Sequence, residues 1–202
     1  MKRVKIVMAL ILLMAMFGCA KKQESVPQAD ETVPQSEETA AGEVIRVSMK
    51  IKDYGEVLLE LYPDVAPVTV ENFTKLVKDG FYDGNSFHRI IDGFMIQGGI
   101  DWSGTVKNIK GEFASNGFEN DLKHTEGVIS MARAKDPDSA SSQFFIMVGN
   151  ADWLDGEYAA FGKVTDGLDI VKKIAADARP IDNNGSIAEE ERPVIESVRI
   201  IE

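Results

Sequence analysis

Residues 86–99 read SFHRIIDGFMIQGG. The segment is mostly apolar, in two short runs, FHRII and FMIQGG, that read as β-strands. Strand periodicity places Arg89 on one face with Ile91, and Met95 on one face with Gln97. A permanent cation and an amide therefore stand among apolar side chains, where a β-branched residue would pack at lower cost. That expense calls for a chemical reason.

Working outward, VIRVSMKI and EVLLELY read as two strands joined by a tight turn at residues 53–55. Residues 67–79 (PVTVENFTKLVKD) predict a helix, with Val70, Phe73, Leu76 and Val77 on one face and Gly80 as its stop. Strands follow at GVISMA, QFFIMV and AAFGKV, then a second helix over residues 167–176 and a closing strand over residues 193–201. Many short strands, Gly-rich turns and two helices predict a mainly β fold, an antiparallel barrel with helical caps rather than a βαβ sheet. The irregular piece from residue 101 to 123 carries too much Gly, Asn and Lys for a core and is expected to be ordered surface loop.

The first 43 residues follow different rules. Lys2, Arg3 and Lys5 precede twelve apolar residues, IVMALILLMAMF, and then Gly18-Cys19. A spanning helix needs about 20 apolar residues, so residues 1–18 read as a signal peptide. A small residue directly before the lone cysteine resembles a bacterial lipobox, with Cys19 as the lipidated first residue of the mature chain. Met16 stands where such boxes usually carry leucine. Residues 19–43 are rich in Glu, Gln, Ser, Thr and Pro and lack aromatics, as expected of a disordered acidic tether. The folded domain is expected over residues 44–202, behind that tether on an extracytoplasmic membrane surface.

Composition narrows the chemistry. A formal net charge of −11 argues against nucleic acid or an anionic membrane surface as partner. One cysteine excludes an intramolecular disulfide and any multi-thiolate zinc site. The two histidines, His88 and His124, are far apart and belong to no metal motif, so no metal site is expected. His88 should point away from the Arg89 face and make a structural hydrogen bond; His124 should make a loop or strand-edge contact. No nucleophile elbow, phosphate loop or dinucleotide fingerprint is present. Glycosidase-type carboxylate pairs depend on distance in three dimensions, and the sequence leaves them open. The triplets at Asn72 and Asn184 match a glycosylation pattern, but the first is helical and the leader is bacterial in type.

What remains is an apolar and aromatic concentration around one arginine and two glutamines. FHRIIDGFMIQGG, GVISMARA, SSQFFIMV and ADWLDGEYAAFGKV, in this order and spacing, resemble cyclophilins, the peptidyl-prolyl cis-trans isomerases. The resemblance runs from residue 44 to residue 202 and rests on long, specific motifs. It implies a closed eight-stranded antiparallel β-barrel capped by two α-helices. It also implies a catalytic role for Arg89, a proline-ring slot at Phe94, Met95, Phe145 and Leu154, and glutamines at Gln97 and Gln143 that position Arg89 and the substrate backbone. Ala132 and Arg133 match the stretch that holds peptide backbone in extended form, and Trp153 matches a rim tryptophan associated with cyclosporin binding. Arg133 and Tyr158 depart from the best-known pattern, which has asparagine and histidine there. Retained activity with altered substrate preference is the expectation.

Rotation about an Xaa-Pro bond breaks no covalent bond, so the implied activity needs no cofactor, which suits a sequence that shows no motif for one. The expected partners are proline-containing polypeptides, namely unfolded or exported clients, with cyclosporin a candidate ligand and the protein acting as a monomer. Two other readings stay open at this point: a proline-peptide-binding or chaperone module whose isomerase activity is incidental, and a surface interaction protein built on the same fold.

Overall fold

The computed structural model describes residues 44–201. The signal segment, Cys19 and the tether lie outside the described residues. Within them, all eight expected strands and both expected helices are present: β1 Ile45–Ile51, β2 Gly55–Leu61, α1 Pro67–Lys78, β3 Phe87–Ile91, β4 Met95–Gly98, β5 Val128–Met131, β6 Phe144–Met147, β7 Ala160–Asp166, α2 Leu168–Asp177 and β8 Ile195–Ile200. Every ladder is antiparallel, in the order β3-β4-β6-β5-β7-β2-β1-β8.

Against the closed barrel expected, the ladder forms a curled sheet with β3 and β8 at its two edges. One isolated bridge, Ser86 to Val194, spans those edges. Main-chain bonds from Gly84 N to Ile195 O (2.8 Å), Phe87 N to Pro193 O (3.0 Å) and Ile195 N to Asn85 O (2.8 Å) accompany it. Pro193 has no N–H to donate, so the approach of β8 to β3 starts as a seam rather than a strand ladder.

Two apolar clusters occupy the two faces of the sheet. The larger lies on the concave side and takes Ile90, Ile96, Ile129, Met131, Phe144, Ile146 and Phe161, with Phe73 of α1. Phe73 sits 4.9 Å from the Tyr82 ring and 5.2 Å from that of Phe161, so α1 closes one end of the curl as its apolar stripe predicts. The second cluster gathers the alternate residues Met95, Val128, Phe145 and Met147 with Ala151, Leu154 and Ala160. Strands β5 and β6 are consequently buried at every position, on both faces. Helix α2 buries Val171, Ile174 and Ala175.

The segment 101–123 lies mostly on the surface, as expected, but residues 111–113 and Asn120 turn inward. Phe113 is 1% exposed within the main core, and Glu112 is equally buried. Helix α1 has no capping side chain at Ala66 and no acidic residue in its first turn. Glu112 supplies both from 44 residues away, its carboxylate accepting the N–H of Val68 (2.9 Å) and of Thr69 (2.8 Å). Composition averaged over the segment could not mark which few of its residues turn inward.

Candidate active site

Strands β3, β4, β6 and β5 place a row of side chains side by side. Arg89 pairs with Gln97, Gln97 with Phe145, and Phe145 with Ser130. A parallel row runs Ile91, Met95, Met147. Between Phe87 and Arg89 the β3–β4 register slips by one residue. The slip lets Phe87 and Ile90, three residues apart, both enter the main core while Arg89 and Ile91 stay on the other face.

Above this row is a cavity of about 130 Å³ lined by Arg89, Phe94, Met95, Gln97, Ala132, Arg133, Phe145, Leu154 and Tyr158. Its volume is well below that of a drug-sized pocket and suits a single small ring. Every residue expected to contact substrate lines it except Gln143 and Trp153. Gln143 stands behind Gln97, accepting its amide Nε2 at 3.0 Å, while the Gln143 carbonyl accepts the Ala132 N–H at 2.9 Å. Trp153 is 69% exposed at the rim, its ring 5.8 Å from that of Phe94.

The half-buried Arg89 guanidinium is held from two sides. Nη1 donates to Gln97 Oε1 at 3.2 Å and Nε donates to the main-chain oxygen of Asn184 at 2.8 Å. Among the described residues no hydrogen bond engages Nη2, so a donor of this cation is available beside a cavity that Phe145, Met95 and Leu154 also line.

Arg133 has a different character. Its guanidinium lies between the Phe113 and Tyr158 rings, 5.0 and 4.7 Å from their centroids. Nε and Nη2 donate to the Glu157 carbonyl and Nη1 to that of Ala134, with the Glu157 carboxylate 3.6 Å from Nη2. The Tyr158 ring in turn meets Phe145 edge-on at 5.9 Å. Both departures from the best-known pattern thus pack on each other, and the arginine acts as a strut for the tyrosine wall.

The histidines differ from expectation. Among the described residues His88 Nδ1 is buried without a hydrogen-bond partner, in place of the structural bond anticipated. Burial, and then the charges of Arg192 and Arg89, push its imidazole down to about 4. His124, anticipated as a loop contact, is a fully buried side chain. Its Nδ1 lies 3.1 Å from Asp155 Oδ1, its Nε2 3.0 Å from Ser130 Oγ, and its ring stacks at 6.0 Å on Phe145. The order Ser-His-Asp has the spacing of an acyl-transfer triad, but Ser130 has no exposed surface and lies behind Phe145, out of reach of a substrate. The trio supports the floor of the cavity. Sequence spacing gave no sign of it, nor of the Asn184 contact, because each joins segments remote in the chain.

Comparison with known proteins agrees with this geometry. The family profile described as cyclophilin type peptidyl-prolyl cis-trans isomerase/CLD matches residues 46–202. A peptidyl-prolyl cis-trans isomerase of Acinetobacter baylyi is 47% identical over 139 residues, covering 64% of this chain and 71% of that protein. Peptidyl-prolyl cis-trans isomerase B of Escherichia coli is 39% identical over 158 residues, covering 74% of this chain and 96% of its own. Among solved structures, a Cryptosporidium parvum cyclophilin-type isomerase, determined in the presence of the dipeptide Ala-Pro, superposes with a TM-score of 0.66 at 29% identity. The match covers 78% of this chain and 99% of that one.

Proposed function

The chain belongs to the cyclophilin-type peptidyl-prolyl cis-trans isomerase family, and we propose that its cavity accelerates Xaa-Pro rotation by seating the proline ring on Phe145 while Arg89 addresses the prolyl nitrogen. The observation that carries this reading is the Arg89 Nη2, without a hydrogen bond among the described residues, beside a ring-sized slot. The Ala-Pro dipeptide present with the Cryptosporidium parvum relative supports proline as the group received.

The amide barrier is about 18–20 kcal/mol because rotation destroys resonance. In the twisted state the prolyl nitrogen regains a lone pair, which a donor stabilises there and not in the planar ground state. A hydrogen bond from a charged group is worth about 1.5–3 kcal/mol, or roughly one to two decades of rate. Arg89 therefore supplies part of the acceleration. The remainder falls to Phe94, Met95, Phe145 and Leu154 fixing the ring as the preceding residue turns, with Ala132 and the Arg133 main chain holding the peptide extended. Gln97, backed by Gln143, holds Nη1 and so helps to set the plane that Arg89 presents.

Magnetisation-exchange NMR on a short Xaa-Pro peptide tests the reading. Faster cis-trans exchange at substoichiometric protein is expected; binding without faster exchange would leave a proline-peptide-binding module.

The leader supports a further part of the reading. The basic start, the apolar run and Gly18-Cys19 favour a lipid-anchored extracytoplasmic enzyme that assists folding of exported proteins. Detergent partitioning that persists in Cys19→Ala would contradict the anchor. Trp153, exposed at the rim against Phe94, favours cyclosporin binding. The main-chain bonds across the β3–β8 seam favour a barrel that closes fully in solution.

A further inference from the structure

Strand β3 pairs with β4 on one side only, and its other edge is covered by a short excursion of the chain after α2. Residues 180–187 fold back on themselves through the Pro180–Ile187 bridge and a bond from Ile181 N to Ser186 O at 2.8 Å. The returning arm lies along β3. Ile90 N donates to Gly185 O at 2.8 Å, Ile187 N donates to His88 O at 2.9 Å, and Arg89 bridges Ser186. This docking carries the Asn184 carbonyl to the Nε of Arg89.

The shape of the turn depends on one side chain. Asp182 Oδ1 accepts the N–H of Asn184 and of Ser186, each at 2.9 Å. A carboxylate taking two N–H groups of its own loop fixes that loop more firmly than a neutral acceptor does. Close approach to β3 needs glycine next: Gly185 has φ 87°, and a Cβ there would stand 2.6 Å from the Ile90 oxygen.

We propose that Asp182 is a positioning residue for Arg89: its carboxylate shapes the 182–186 turn so that the Asn184 carbonyl anchors Nε, which together with Gln97 on Nη1 fixes the plane of the guanidinium and leaves Nη2 for the substrate. The inference rests on the reading that Arg89 is the donor to the prolyl nitrogen. Two anchors on different nitrogens define a plane, whereas Gln97 alone lets the fork swing about a single hydrogen bond. A swinging fork meets the twisted amide less often without altering the slot that seats the ring, so the loss belongs in kcat and not in KM.

The test uses the full chain and its Asp182→Ala, Asp182→Asn, Asn183→Ala and Arg89→Ala variants. Exchange kinetics on an Xaa-Pro peptide, thermal unfolding, and the NMR signal of the Arg89 Nε–H would be read together. Asp182→Ala should lower kcat about tenfold, the scale of one misdirected charge-assisted hydrogen bond. KM should hold, and the Nε–H should lose its protection from solvent exchange. Asp182→Asn, whose amide oxygen can accept the same two N–H groups, should recover most of the rate. Asn183, exposed and outside the hydrogen-bonding of the turn, should tolerate alanine. If Asp182→Ala fails to fold, Asp182→Ser carries the same comparison with a hydroxyl able to hold one of the two N–H groups. A wild-type kcat and a still-protected Nε–H in the alanine or serine variant, with Arg89→Ala slowed about ten- to a hundredfold, would overturn the positioning role alone. An Arg89→Ala variant at the wild-type rate would instead overturn the reading of the site itself.

Discussion

Arg89 costs the fold something, and its surroundings show how the cost is met. Gln97 and the Asn184 carbonyl take two of its nitrogens, and Gln143 holds Gln97 in turn. Gln97→Leu should keep the slot but release Nη1, lowering kcat/KM about tenfold in a peptide exchange assay; an unchanged value would remove Gln97 from the mechanism. Arg133 answers to a different physics. Packed between Phe113 and Tyr158 and bonded to two carbonyls, it acts through shape. Arg133→Ala should destabilise the protein by about 1–2 kcal/mol in denaturant unfolding and weaken peptide binding through Tyr158. A variant with unaltered stability and affinity would show that the strut is idle. The sequence identified Arg133 as a departure, yet only the fold shows that Tyr158 is its counterpart.

The elements themselves were largely legible, because hydrophobic period and turn residues are local signals. Strands β3 to β6 kept their apolar runs, and α1 presented Val70, Phe73, Leu76 and Val77 as its buried stripe. Alternation could not say which face of β4 and β6 meets the core and which carries the site, since both faces of these strands are apolar. It also missed the register slip beside Arg89, which depends on pairing with β4. Glu112 belongs to the same class of long-range facts. Removing its carboxylate leaves the Val68 and Thr69 N–H groups without their acceptor at the start of α1. Glu112→Ala should cost about 2–3 kcal/mol, and Glu112→Gln, which keeps one oxygen acceptor, about half of that, by chemical denaturation. Equal stability for all three proteins would show that α1 is capped by other means.

For the whole molecule, the titration of buried histidine sets a pH dependence. His88 in the unfolded chain binds its proton near the ordinary 6.5, but in the fold only near 4. Burial lowers His124 as well, against the opposing pull of Asp155. Between pH 6.5 and 4 the unfolded state therefore holds more protons, and stability falls as pH falls through that window. His88→Gln should flatten part of the decline in melting temperature; an unchanged slope would place the titration elsewhere. The same scale holds the central claim, that a curled antiparallel sheet presents one oriented cation over one ring slot. Exchange of an Ala-Pro peptide measured by NMR with wild-type and Arg89→Ala protein tests it most directly. The account predicts a loss of about ten- to a hundredfold in catalysed rate, with the proline peptide still bound. A variant that isomerises the peptide at nearly the wild-type rate would contradict it.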